Sequence, residues 1–171
     1  PQAVLIGNMH TALPADASVY ARMMTPTLTP VSFSQVDFTF TLGGVLGMAR
    51  EAYLSLGGMQ AVPDKQRGVW IDMDFAYRAH LSGYRLYRVM RAIGYHDDYS
   101  YLTLQAASQR AFKTARLAVI LFQTYPALLD QIPMFRDKTP LDMRRDGISL
   151  TIRKIFRRLG STPWSIRFLE W

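Results

Sequence analysis

The sequence predicts an α/β fold, and three observations carry that prediction. An apolar run, Val4-Leu5-Ile6, ends at Gly7; a helical pattern that closes at Gly83 leads straight into an alternating segment, Tyr84 to Tyr95; and a long helical pattern covers Leu102 to Gln123. Strand and helix patterns interleaved in this way along one chain define the α/β class.

Val4 to Ile6 reads as a short inner strand with a turn at Gly7, and Asn8 to Val36, interrupted by Pro14, Pro26 and Pro30, as a long loop over a cleft. Phe38 to Leu42 alternates with period two and meets Gly43-Gly44, which predicts a strand running into a tight backbone feature. Arg50 to Leu56 is a short helix closed by Gly57-Gly58, and Met59 to Val69 a loop. The next helix, capped by Asp72 or Asp74, buries Phe75, Ala79 and Leu81 and stops at Gly83. Tyr84 to Tyr95 alternates Arg85, Arg88 and Arg91 with apolar residues, a strand with one polar face that delivers His96. Leu102 to Gln123 is the longest helix, with Pro126 just beyond it; Ile148 to Leu159 is a second, basic amphipathic helix, with Ile152, Ile155, Phe156 and Leu159 against Arg153, Lys154, Arg157 and Arg158. The domain boundary is expected near residue 100, between a body, 1–100, and a helical basic tail, 101–171.

At 171 residues with 49% hydrophobic side chains the chain is long enough for a real core. The absence of cysteine excludes disulfides, thiolate metal sites and cysteine nucleophiles, and suits the cytoplasm. The longest purely apolar run, Leu117 to Phe122, is far short of the roughly 20 residues that span a bilayer. The net charge of +7 lies entirely in residues 110–171, which hold 12 Lys/Arg and 5 Asp/Glu, whereas residues 1–109 hold 8 of each. Such a tail suits an anionic surface, either lipid headgroups or nucleic acid.

Chemistry concentrates between Trp70 and His96. Asp72 and Asp74 stand where a loop becomes a helix, so both can face a cleft at a helix N-terminus; the alternatives are capping and, for Asp74, an i to i+4 ion pair with Arg78. His96, at the end of a strand, is either a structural imidazole or a ligand for Mn²⁺ or a diphosphate. Trp70 is core or stacks on a sugar. His10 and His80 are read as structural or exposed.

Over Gly43 to His96, 54 residues, the motif order resembles the C-terminal, acceptor-side half of a family 2 glycosyltransferase of the inverting GT-A class. Gly43-Gly44, Met48-Ala49-Arg50-Glu51-Ala52-Tyr53 and Leu56-Gly57-Gly58-Met59 are similar to the glycines, short arginine-led helix and Gly-Gly-aromatic turn of that family. Trp70-Ile71-Asp72-Met73-Asp74-Phe75 resembles its Trp-Glu-Asp-x-Asp-Leu motif, Gly83-Tyr84-Arg85 its Ala-Gly-Tyr-Arg turn, and His96 its histidine after the next strand. Ile71 departs from the usual glutamate, and Gln60-Ala61 from the usual Asp-Glu.

The resemblance implies a partial GT-A sheet with flanking helices plus the helical tail. By position it makes Asp72 the catalytic base and Asp74 the second catalytic acid. It places Gly43, Gly44, Trp70 and Arg78 in acceptor binding and His96 at a metal. The implied reaction is inverting transfer of a sugar from a nucleotide-diphosphate donor to a hydroxyl acceptor, in cell-envelope or polysaccharide biosynthesis. A divalent metal, Mn or Mg, would be held mainly by an N-terminal half whose Asp-x-Asp motif does not occur upstream of Gly43; with Pro1 as first residue, a fragment of a longer enzyme is expected. Expected partners are a nucleotide-sugar donor, a glycan or lipid-linked acceptor and, through the tail, the inner face of a membrane, with nucleic acid disfavoured. The rival reading is a non-catalytic α/β binding protein whose basic tail meets a membrane or nucleic acid.

Overall fold

The computed structural model describes residues 2–15, 17, 21–22, 33–41, 44–60, 70–96, 103–132, 139–160 and 162–165. They fall into two compact units, Pro1–Thr124 and Tyr125–Trp171. The long helix expected in the tail therefore belongs to the first unit, and the division lies after it rather than near residue 100. Gly43, the 61–69 loop, Phe168, Trp171 and most of the long loop before Ser34 lie outside the described residues.

The first unit is mixed α/β. Its elements are β1 (Ala3–Thr11), β2 (Ser34–Val36), a 3₁₀ turn (Phe38–Phe40), β3 (Leu46–Gly47), α1 (Arg50–Ser55), α2 (Ile71–Leu81), β4 (Arg85–His96) and α3 (Leu104–Thr124). The four strands form one sheet in the order β2-β4-β1-β3. Its central pair, β1 and β4, is parallel, and the short edge strands β2 and β3 are antiparallel to their neighbours. As expected, β1 is an inner strand. It does not turn at Gly7 but continues to Thr11.

A glycine is needed at position 7 for closeness, not for a turn. A Cβ there would lie 2.4 Å from Val45 Cγ1 and 2.6 Å from the Ala92 carbonyl oxygen, and the Gly7 amide donates to the Val45 carbonyl at 2.8 Å. At this point the parallel ladder is irregular: Ile6 pairs with Arg88, but Asn8 pairs with Ile93, so Gly7 stands opposite Val89 to Ala92, three residues more than a regular ladder allows.

Phe38–Phe40 is a 3₁₀ turn and not the predicted strand. The Asp37 carboxylate accepts the Thr39 amide at 2.9 Å, which closes the turn locally and defeats the period-two pattern. Phe38 is then buried against Tyr77, with ring centroids 5.2 Å apart.

Helices α1 and α2 end alike. Gly57 and Gly83 take left-handed φ values of 75° and 80°, and the amide pairs Gly57 to Leu54 and Gly58 to Tyr53, Gly83 to His80 and Tyr84 to Ala79 satisfy the last carbonyls. The start of α2 differs from expectation: Trp70, not an aspartate, is the N-cap, and Asp72 and Asp74 lie inside the first turn. The helix buries Met73, Phe75, Ala76, Tyr77 and Ala79, whereas Leu81 is exposed. With Val4, Ile6 and Leu86 these residues make the core, each large apolar side chain contributing about 2 kcal/mol by burial. On α3, Thr103 Oγ1 caps the Ala106 amide at 3.1 Å, and Ala107, Leu117, Ala118 and Leu121 form the buried stripe.

The second unit holds α4 (Leu128–Gln131) and α5 (Ile148–Gly160). The expected amphipathic helix is present, with one change: Lys154 is buried, not part of the solvated basic face. No helix among the described residues is long and apolar enough to cross a membrane.

Candidate functional site

The residues expected to act sit on α2 and at the ends of the two central strands. Helix α2 returns to the sheet through the Ser82–Tyr84 turn and runs against β4, so its first turn points toward the C-terminal end of the parallel pair, where α/β sheets hold their ligands.

Trp70 takes a left-handed backbone conformation, φ 70°, the only non-glycine among the described residues to do so, at a cost of about 1 kcal/mol. Its indole N–H donates to the Thr114 carbonyl of α3 at 2.8 Å and its own carbonyl accepts the Asp74 amide at 2.9 Å. The indole edge is thus an anchor between α2 and α3, and the expected sugar-stacking role is not what positions this ring. The anchor fixes the angle at which the first turn of α2, with Asp72, emerges from the loop.

The two acids differ in what they hold. Arg78 donates to Asp74 Oδ2 from Nε at 3.0 Å and from Nη2 at 2.8 Å, both side chains being only 17% exposed. The same guanidinium donates to the Gly58 carbonyl at 2.7 Å and to the Leu56 carbonyl, and lies 5.6 Å from the centre of the Phe75 ring. Arg78 therefore ties α2 to the end of α1, and Asp74 holds the guanidinium in place. The ion pair forms as the helical spacing allowed. Asp72 is half-buried in the first turn; its Oδ1 accepts the Met73 amide at 2.9 Å, and a negative charge there is favoured by the helix dipole.

His96 is exposed at the end of β4, paired with Thr11. Strand parity decides which face it occupies. Val4 and Phe75 line one cavity, so α2 covers the face that carries Val4, Ile6, Asn8 and His10. Thr11, and with it His96, alternates to the opposite face. Without the three extra residues in β4, His96 would share the face of Leu86; an odd excess reverses every side chain beyond it. The expected site, with Asp72 as base and His96 at a metal, is therefore not brought together on one face of the sheet.

The imidazole on the α2 face is that of His10, which sequence reading set aside. It packs edge-on against Tyr95 at 5.8 Å, and its Nδ1 is buried with no hydrogen-bond partner among the described residues. Buried Asn8 precedes it on the same face. Measured from the shared turn, Asp72 stands about 13 Å and His10 about 23 Å along the sheet, a gap on the order of 10 Å. The signal that would have found His10 is its position at the C-terminal end of an inner parallel strand.

Gly44 approaches β1 closely: a Cβ there would lie 2.0 Å from Met9 Sδ. It serves packing on the face opposite α2. Among the described residues no group of three or more His, Asp or Glu side chains comes together that could hold a metal ion. Cavities open among the described residues of this unit. One of about 260 Å³ lies between α1, α2 and the sheet, with Arg50, Tyr53, Met59 and Phe75 in its walls; another, of about 520 Å³, lies at the far end of α2, beside Asp37, His80 and Arg85. Neither is lined by Asp72.

Comparison of the chain with family models, with curated proteins and with solved structures finds no match.

Proposed function

We propose that this chain is the acceptor-side half of an inverting glycosyltransferase that uses a nucleotide-diphosphate sugar, with Asp72 as the base. The observation that carries the reading is the place of Asp72, in the first turn of α2 at a strained, anchored helix start directed toward the C-terminal end of the parallel strands. The order of motifs from Gly44 to Tyr95 supports the same assignment.

In this reading the acceptor hydroxyl oxygen forms a bond to the anomeric carbon while the bond from that carbon to the diphosphate oxygen breaks, the electron pair leaving with the nucleoside diphosphate. The hydroxyl proton passes to Asp72. His10, on the same face, supplies a hydrogen bond to the acceptor or to the departing diphosphate. In this reading donor binding would be contributed by residues other than those named here.

The test is Asp72→Asn in a polypeptide that carries both halves, assayed for release of nucleoside diphosphate from a panel of nucleotide sugars. Turnover should fall by about 100-fold or more while the protein still folds, since asparagine keeps an oxygen for the Met73 amide and the lost charge costs only about 1 kcal/mol or less at the helix start. Undiminished turnover removes Asp72 from this role, whereas no release of nucleoside diphosphate by the unaltered polypeptide leaves the binding-protein reading.

A further inference from the structure

Helix α5 is mounted inside out. In a globular unit the apolar stripe of an amphipathic helix faces the core; here Ile148, Ile152, Ile155, Phe156 and Leu159 are 83%, 47%, 43%, 69% and 59% exposed, while Lys154 is buried. At 100° per residue the five apolar side chains fall within an arc of roughly 100°, and Lys154 lies roughly opposite its centre. A polar anchor on the opposite side helps attach the helix to its unit. Lys154 Nζ donates to both oxygens of Asp146 at 2.8 and 2.7 Å, to Thr139 Oγ1 at 3.1 Å and to the Pro140 carbonyl at 3.1 Å.

The outward stripe is bordered by arginine on both sides. The same angular count puts Arg153 beside Phe156 at one edge and Arg158 beside Ile155 at the other, with Arg157 between the polar flanks. From Gly147 to Ser165 there is no acidic residue. Just past the helix a short turn, closed by Ser165 Oγ on the Leu159 carbonyl at 2.9 Å, sets out Trp164, 82% exposed. An apolar stripe, cationic borders and a terminal indole are what an interface between acyl chains and phosphate headgroups accommodates. A second copy of the chain fits poorly, because a two-fold contact of this face brings Arg158 of both helices toward a helix that carries no carboxylate.

We propose that α5 lies in the plane of an anionic lipid surface, its apolar stripe in the acyl boundary, Arg158 at the headgroup phosphates and Trp164 as an interfacial anchor. The proposal rests on α5 and Trp164 and is independent of the transferase reading.

The experiment is vesicle flotation of the whole chain with phosphatidylcholine alone and with about 30% phosphatidylglycerol added, at low and high salt, beside the double variant Ile155→Asp, Phe156→Asp. Both positions are exposed, so helix content by circular dichroism should not change. The chain should float with the anionic vesicles, at least about tenfold less with neutral ones, and less at high salt; the double variant should lose about tenfold or more. Arg158→Gln should cost a further, smaller factor that is specific to anionic vesicles. Equal flotation of wild type and double variant overturns the proposal. So does a wild type that fails to float but sediments as a dimer which the double variant dissociates, since a second copy would then cover the stripe.

Discussion

Arg78 and Asp74 hold each other across one turn of α2, Nη2 to Oδ2 2.8 Å, and the same guanidinium reaches the Leu56 and Gly58 carbonyls at the end of α1. Removal of Arg78 leaves a partly buried carboxylate and two carbonyls without this donor. Arg78→Ala should therefore lower stability by about 2 kcal/mol, and Asp74→Asn by about 1 kcal/mol because the carbonyl contacts survive. Urea denaturation reads both; midpoints equal to wild type would show that the pair does not fasten α1 to α2.

Gly7 offers a steeper case. Gly7→Ala must push a Cβ toward Val45 and the Ala92 backbone, at 2.4 and 2.6 Å, and backbone cannot move aside as a flexible side chain does. A loss of about 2–3 kcal/mol is expected. Val45→Ala in the same background should recover part of it, whereas no recovery would place the strain elsewhere.

The two histidines separate the two possible faces of the site. In the polypeptide with both halves, His10→Asn should reduce turnover and His96→Asn should leave it within about twofold, because only His10 lies on the α2 face. The reverse result would mean that β4 is paired without its three-residue excess.

Acid should weaken the second unit through Asp146. The hydrogen bond from Lys154, then that from the Asp142 amide, holds its carboxyl below the ordinary value of 3.8. A depressed folded pKa contributes stability that is present above the unfolded value and is lost as pH falls through the folded one. The groups facing it are Lys154, which also donates to Thr139, and the Asp142 amide at 2.9 Å; the Asp142 carboxylate in turn lies 3.8 Å from Arg145. Thermal unfolding of wild type and Asp146→Asn should differ at neutral pH and converge below about pH 4. A constant difference across that range would show that the carboxylate is not what Lys154 holds.

Local signals were legible. Gly57 and Gly83 mark helix ends because a left-handed residue is needed there whatever surrounds it, and the spacing that gave α1, α2, α3 and α5 is a property of a few turns of chain. The strand expected at Phe38–Leu42 failed for an equally local reason, the Asp37 side chain, which competes with a ladder once it bonds the Thr39 amide. The continuation of β1 past Gly7 was hidden because glycine reads as a turn unless its neighbours across the sheet are known. Of the candidate site, the Asp74–Arg78 pair was visible as an i to i+4 spacing, but the further bonds of Arg78 to α1 were not, since they join residues 20 and 22 positions apart.

By itself the sequence determined an α/β chain with two glycine-closed helices, a basic C-terminal region and an acidic helix start at Asp72. Only the tertiary structure decided which faces these features occupy. Three extra residues in β4 reverse the side on which His96 lies, and a buried Lys154–Asp146 pair turns the apolar stripe of α5 outward. Periodicity fixes which residues share a face, but the direction of that face is set by pairing between distant segments, and such pairing leaves no repeat in the chain.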